Sequence, residues 1–111
     1  MSLFHSLGGQ PLTVRGSGTT LGSGSFTAAT FSQAVYYVTD LGGSSASTAA
    51  IIKVLVSGTV VWQVEQSASG IFHINFDTPL KGTKGQEITA TIDGSGTSII
   101  NMSGFRTLNL A

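Results

Sequence analysis

Short apolar runs, separated by glycine and serine, recur along residues 50–106. The clearest run, Ile71 to Phe76, alternates apolar residues with the polar residues His73 and Asn75. Gln86 to Asp93 alternates in the same way between aliphatic residues and threonine or acidic residues. A period of two places successive side chains on opposite faces of a β-strand, so these runs predict strands with one buried and one exposed face.

The chain contains about eight β-rich runs, which predicts an all-β fold. The predicted strands are Ser25–Phe31, Gln33–Thr39, Ile51–Val56, Val60–Glu65, Ile71–Phe76, Gln86–Asp93, Thr97–Ser103 and Phe105–Leu110. The last of these, Phe105–Leu110, is either a strand or a tail. Glycine-rich connections separate them, including a loop at Asp40–Ser45 and a hairpin turn at residues 93–96. Many short strands at regular spacing favour two packed antiparallel sheets. We therefore predict a jelly-roll β-sandwich, with an immunoglobulin-like sandwich as the alternative.

The segment Ser47–Val56 has two interpretations. Its first residues could cap a helix, but the dense β-branched residues that follow favour a strand. In that strand, Ile51 and Leu55 lie on either side of Lys53, and the opposite face is also apolar. Apolar residues on both faces indicate that the Ile51 face is covered, either by another segment or by a neighbouring subunit. We predict a subunit contact at Ile51, Lys53 and Leu55.

Residues 1–24 have a weaker pattern. Apolar residues at Leu12, Val14 and Leu21 are interrupted by six glycines. This composition is typical of an extended arm, a glycine-punctuated edge hairpin or a flexible tail. We expect an N-terminal arm or edge hairpin at residues 1–24 and a jelly-roll domain at residues 25–111.

Charge is scarce and balanced, since five basic and five acidic residues make up only 9% of the chain. An average soluble domain has about 25% charged residues. Zero net charge does not keep copies of a protein apart, so we expect a homo-oligomer. The basic residues are scattered and form no patch for phosphates, so nucleic acid is not an expected partner.

Three further features limit the function. The chain has no cysteine, which excludes disulfides, thiol nucleophiles and cysteine-bound metal. Residues 1–5 lack the charged start and apolar stretch of a signal peptide. No apolar run approaches the roughly 20 residues of a membrane helix. We expect neither a membrane partner nor signal-dependent export.

The histidines provide little catalytic chemistry. His73 and Asp77 could belong to a hydrolase triad, but no Gly-x-Ser-x-Gly nucleophile motif accompanies them. His73, Asn75 and Asp77 alternate along one strand and could face a cation, yet the sequence places no further strong ligand near them. We predict that the protein is not an enzyme and has no metal site or cofactor.

Three aromatic residues are candidates for stacking on a sugar ring. Trp62 shares a strand face with Val60 and Val64, which favours a buried ring. Tyr36 and Tyr37 are adjacent, so they point to opposite faces of a strand and one of them is expected to be outward. We take Tyr36 and Tyr37 as candidate ligand contacts.

A series of motifs follows in order between Ala49 and Phe105. They are Ile52-Lys53-Val54-Leu55, Ser57-Gly58, Phe72 to Phe76, Pro79-Leu80-Lys81-Gly82, Gly85-Gln86-Glu87-Ile88, Thr89 to Ile92 and Gly104-Phe105. This order resembles that of small jelly-roll virion proteins of tailed bacteriophages, of the capsid-decoration or head-stabilising type. The resemblance covers about half of the chain and lies in the rhythm of the strands.

The resemblance implies a viral structural protein without catalytic residues. Proteins of this type are usually trimeric, so it implies a homotrimer bound to the major capsid protein or another virion protein. It also implies a place in the virion after synthesis in the bacterial cytoplasm. Residues before 25 have no counterpart in it, which leaves open whether they are an arm that grips a capsid lattice. The alternative function is a carbohydrate- or receptor-binding module of a phage tail or fibre.

Overall fold

The computed structural model describes residues 10–19, 21–26 and 34–108 of the chain. These residues form eight β-strands: β1 Gln10–Gly18, β2 Leu21–Phe26, β3 Ala34–Ser45, β4 Ala50–Val56, β5 Thr59–Gln66, β6 Gly70–Lys81, β7 Ile88–Asp93 and β8 Ser98–Leu108. No helix in this part of the chain has the length and apolar character needed to cross a membrane.

The strands form two antiparallel sheets of four strands each. The order is β1-β8-β3-β6 in sheet one and β2-β7-β4-β5 in sheet two. Strands from the two ends of the chain are thus neighbours in both sheets, which is the interleaved topology of a jelly roll. This order differs from that of an immunoglobulin domain. The predicted all-β jelly-roll sandwich is therefore confirmed.

The core lies between the sheets because the central strands turn alternate aliphatic residues inward. In sheet two, Ile52 and Val54 of β4 lie opposite Ile92 and Ala90 of β7, and all four are at most 1% exposed. Sheet one covers them with residues that include Leu41. Burial of each large aliphatic side chain stabilises the fold by about 1.5–3 kcal/mol. Buried and half-buried residues thus alternate along β4 and β7, as the period of two in the sequence predicts.

The segment Ser47–Val56 is a strand from Ala50 onwards, so the helical alternative is wrong. Before the strand, the backbone N–H of Ser47 donates to the hydroxyl of Ser45, and the hydroxyl of Ser47 accepts from the N–H of Ala49. These short-range bonds form a bend between β3 and β4 in place of a helix cap.

Two predictions about individual elements are wrong. Asp40–Ser45 was predicted as a loop because of its glycine pair, but it is the second half of β3 and pairs with β6 and β8. The predicted strands Thr97–Ser103 and Phe105–Leu110 are joined into one strand, β8, which continues to Leu108.

Close approach of a neighbouring backbone explains why glycine lies inside these central strands. A Cβ placed on Gly43 would lie 1.9 Å from the carbonyl oxygen of Ile99. A Cβ placed on Gly104 would lie 1.9 Å from the carbonyl oxygen of Tyr37. A glycine in the sequence can therefore indicate a close backbone approach inside a sheet and not only a turn.

Residues 10–26 contribute one edge strand to each sheet. β1 pairs with β8, and β2 pairs with β7 along all six of its residues. The predicted boundary between residues 24 and 25 falls within β2. Residues 1–9 of the predicted arm and residues 27–31 of the predicted strand Ser25–Phe31 lie outside the described residues.

The two sides of the sandwich differ in how closely their edge strands approach. On one side, β1 and β2 lie backbone to backbone, and a Cβ on Gly16 would lie 1.9 Å from the carbonyl oxygen of Ser23. We call this side the closed flank. On the other side, β5 and β6 lie farther apart and carry bulky apolar side chains. We call this side the open flank.

Candidate ligand-binding face

The outer face of sheet one carries an aromatic pair. The pairing of β3 with β8 places Tyr37 directly opposite Phe105. Their rings are stacked, with centroids 4.7 Å apart and planes inclined by 14°. On the other side of β3, Lys81 of β6 lies directly opposite Tyr37.

A polar cluster is centred on Asp40, the outward residue of β3 that follows Tyr37. The side-chain amide of Asn75 donates a 2.6 Å hydrogen bond to Asp40 Oδ1, and His73 Nε2 lies 3.6 Å from the same oxygen. The hydroxyl of Thr39 lies 3.1 Å from Asp40 Oδ2. The side chains of His73 and Asp40 are 67% and 32% exposed. The cluster therefore presents an oriented carboxylate, an amide and an imidazole to solvent.

A β-bulge sets the direction of the Asp40 side chain. The pairing of β3 with β8 changes register between Val38 and Asp40, which leaves Thr39 as the extra residue on that side. On the other side, residues 76–79 of β6 lie opposite Thr39. Thr39 Oγ1 also lies 3.2 Å from the carbonyl oxygen of Ser103 in β8. Under strict alternation Asp40 would point into the core like Val38, whereas the extra residue returns it to the outer face.

Gly42, the next outward residue of β3, leaves the surface beside the cluster free of side chains. It lies between His73 of β6 and Asn101 of β8. A Cβ on Gly42 would lie 3.6 Å from His73 Cδ2, an ordinary van der Waals distance, so packing does not demand glycine here. Gly42 therefore adds no side chain to the outer face between His73 and Asn101. We call the surface formed by Tyr37, Asp40, Gly42, His73 and Asn75 the β3–β6 strip.

Of the two predicted ligand contacts, Tyr37 lies on this face and Tyr36 does not. Tyr36 is only 2% exposed and its ring centroid lies 5.9 Å from that of Phe26 in the core. The prediction for Tyr36 is therefore wrong, because the alternation that turns Tyr37 outward turns Tyr36 between the sheets. Trp62 is half-buried and packs edge to face on Phe76, with centroids 5.1 Å apart.

The predicted subunit contact lies on the outer face of sheet two. Ile51, Lys53 and Leu55 alternate with the buried residues of β4, and all three are half-buried. They point away from the core of their own chain, as the period of two requires. Their part in a subunit contact stays a prediction.

Of the residues considered for catalysis or metal binding, His73 and Asn75 both lie beside Asp40, whereas Asp77 is not part of this cluster. His73 and Asp77 are four residues apart on β6, about 13 Å along an extended strand, which is too far for a hydrogen bond. His73 contacts Asp40 instead. Within the described ranges, no three His, Cys, Asp or Glu side chains are close enough to hold a metal ion.

Asp40 and Phe105 are residues of this face that sequence reasoning missed. A signal for Asp40 was present in the spacing of the inward apolar residues Tyr36, Val38 and Leu41, which changes from two to three. That change is expected when a bulge adds one residue to a strand. No comparable signal marks Phe105, since its position opposite Tyr37 depends on the register between β3 and β8.

Comparison with known proteins finds no matching family model and no matching curated protein. Among solved structures, the CBM36-1 domain of a multidomain xylanase from the hindgut metagenome of Trinervitermes trinervoides is similar over 92% of this chain and 99% of that domain, with 12% identity and a TM-score of 0.48. The insecticidal delta-endotoxin Cry8Ea1 from Bacillus thuringiensis matches 86% of this chain with 19% of its own, at 16% identity and a TM-score of 0.42. The carbohydrate-binding module CBM36 in complex with calcium and xylotriose matches over 80% and 72% of the two chains, at 16% identity and a TM-score of 0.41. Likenesses at this level carry no argument about the function of this chain.

Proposed function

We propose that this protein is a carbohydrate-binding module whose ligand lies along the β3–β6 strip. The observation that carries the proposal is the Asp40 carboxylate, which Asn75 orients through a 2.6 Å hydrogen bond on an exposed sheet face beside the outward ring of Tyr37. A fold of this kind hosts many functions, so the argument rests on this surface and not on the jelly roll.

The polar groups of the strip suit the hydroxyl groups of a sugar. Each sugar hydroxyl both donates and accepts, so a vicinal pair matches a surface that has acceptors and donors side by side. The carboxylate of Asp40 accepts, while the amide of Asn75 and a protonated ring nitrogen of His73 donate. Hydrogen bonds to an ionised carboxylate are roughly twice as strong as those between neutral groups.

The Tyr37 ring supplies the apolar part of the recognition. The face of an aromatic ring carries partial negative charge, which attracts the weakly positive C–H groups on one side of a sugar ring. Phe105 is stacked on the opposite face and holds the Tyr37 ring in place, so little side-chain entropy is lost on binding. Gly42 extends the strip beyond Asp40 without adding a side chain, which suits an oligosaccharide lying along β3.

The test is a glycan array followed by titration calorimetry of the full chain with the best ligand. Tyr37→Ala is expected to weaken binding about tenfold or more, equivalent to about 1.4 kcal/mol. Gly42→Ala is expected to weaken binding as well, because its methyl group adds bulk beside His73 on the binding face without clashing with the protein. Tyr37→Phe, which keeps the ring, should retain most of the affinity.

Lys53→Ala is the matched control, since Lys53 is half-buried on the outer face of the other sheet. It should bind like the unmodified chain. Absence of any bound glycan at millimolar concentration would count against the proposal. Equal binding by Tyr37→Ala, Gly42→Ala and Lys53→Ala would place any sugar site elsewhere.

A structural role in a bacteriophage virion is the second candidate function. The observation that favours it is the outward direction of Ile51 and Leu55, which leaves aliphatic surface available for contact with another virion protein. Co-sedimentation of the protein with assembled phage heads or tails tests this role. We expect the protein to bind, and the double variant Ile51→Ser, Leu55→Ser to lose this binding. Failure of the unmodified chain to bind either particle would contradict the virion role.

A further inference from the structure

We propose that two copies of this chain associate through β5 at the open flank, by antiparallel pairing of β5 with β5 of the second copy. The two copies of sheet two would then form one continuous sheet across the dimer. This interaction is separate from the β3–β6 strip, which lies on the outer face of the other sheet.

Exposed apolar side chains are concentrated on β5. Among the described residues, the large apolar side chains that are exposed are Leu21 at 53%, Val60 at 44%, Val61 at 50%, Val64 at 39% and Ile71 at 90%. Three of the five belong to β5, whereas Ile71 lies in line with His73 and Asn75 on the outer face of sheet one. Clustered exposed apolar residues mark an interaction surface, whereas single ones need no explanation.

β5 is also the sheet edge with the least protection against pairing. Natural edge strands avoid pairing through proline, charge, short length or cover by another segment. β1 and β2 cover each other at the closed flank, and β6 contains Pro79 with Asp77 and Lys81 on either side. β5 contains no proline, and Glu65 is its one charged residue.

The regular part of β5 is long enough to pair. The register between β4 and β5 shifts once, which leaves Val61 as an extra residue, and the pairing is regular from Trp62 to Gln66. In an antiparallel self-pairing about Val64, Glu65 lies opposite the neutral amide of Gln63 in the second copy. Only a register centred on Glu65 would place two like charges opposite each other. The chain also has no net charge to oppose association.

The occupant that fits this edge is a second copy of the chain. Its β5 has the same unpaired backbone edge, the same exposed valines and the same length. Antiparallel pairing of two identical edges also gives a closed two-fold dimer, the commonest symmetry of soluble oligomers.

Sedimentation equilibrium of the full chain from low to high micromolar concentration tests the proposal. A monomer–dimer equilibrium is expected. Val64→Lys places a charge beside the edge and should weaken association at least tenfold, and Val61→Lys should weaken it similarly. Leu21→Lys is the matched control, because Leu21 is an exposed residue on an edge strand of the closed flank, and it should associate like the unmodified chain. Thermal melts followed by circular dichroism confirm that each variant is folded.

A chain that remains monomeric at high micromolar concentration, or that forms a trimer, would overturn the proposal. Association that survives Val64→Lys and Val61→Lys but is lost in Leu55→Lys would also overturn it, because the contact would then be the outer face of sheet two.

Cysteine scanning provides an independent measurement, since the chain has no cysteine of its own. Val64→Cys places the two thiols directly opposite each other in the proposed pairing about Val64 and should form a disulfide-linked dimer rapidly under mild oxidation. Leu21→Cys should form it much more slowly. Equal rates for the two variants would contradict pairing through β5.

Discussion

The closed and open flanks have equivalent places in the jelly roll but opposite surfaces. Each flank consists of two edge strands, one from each sheet. At the closed flank, glycines allow the backbones of β1 and β2 to touch. At the open flank, valine and aromatic side chains keep β5 and β6 apart and remain partly exposed. Side-chain size at the edges therefore decides whether the sandwich closes on itself or leaves apolar surface for a partner.

The contacts of the closed flank show how completely it depends on glycine. A Cβ on Gly18 would lie 2.1 Å from the carbonyl oxygen of Leu21, and a Cβ on Gly24 would lie 3.3 Å from a methyl group of Val14. At Gly18, as at Gly16, no rotamer change can relieve the overlap, because the opposing atoms belong to the backbone. Any larger residue there would push β1 away from β2.

The largest expected effect is on the closed flank. Gly16→Ala should lower the free energy of unfolding by about 3 kcal/mol, because the added methyl group overlaps the backbone of Ser23 and forces the edge strands apart. Urea denaturation followed by circular dichroism measures this loss. Gly42→Ala is the control, since its Cβ meets only ordinary contacts, and it should stay within about 1 kcal/mol of the unmodified chain. Equal stability of the two variants would contradict the role of close backbone approach.

An intermediate effect is expected at the aromatic residues of the open flank. Trp62→Ala should lower the free energy of unfolding by about 2 kcal/mol, because it removes the edge-to-face contact with Phe76 but leaves a cavity that solvent partly fills. If the Trp62 ring were fully buried, the loss in the free energy of unfolding would be about 3–5 kcal/mol instead. The same denaturation experiment distinguishes the two values, and Trp62→Phe should recover part of the loss.

The smallest effect is expected at Val64, one of the exposed valines of β5. Val64→Ser should change the stability of the monomer by about 0.5 kcal/mol, as expected for a surface substitution. The same variant should weaken association several-fold, whereas Leu21→Ser should change neither property appreciably. A large loss of monomer stability in Val64→Ser would mean that Val64 belongs to the core of its own chain.

The binding face could be predicted only in part. Alternation along β3 was enough to show that one of Tyr36 and Tyr37 is outward, and the structure identifies it as Tyr37. Alternation fails at Asp40, because the bulge at Thr39 reverses the face on which later residues lie. Every residue after a bulge is displaced by one position along the strand. A local error in register therefore gives the wrong face to every later residue of that strand.

The pattern of apolar and polar residues was sufficient to determine the all-β class, the two-layer sandwich and the outward direction of Ile51 and Leu55. These properties follow from a period of two, which acts between neighbouring residues along one strand. The tertiary structure alone decided that Asp40–Ser45 continues β3, that Phe105 lies on Tyr37, and that the backbones of β1 and β2 touch while those of β5 and β6 lie farther apart. Those properties depend on backbones that approach each other from distant parts of the chain, and a glycine in the sequence does not distinguish a turn from such an approach.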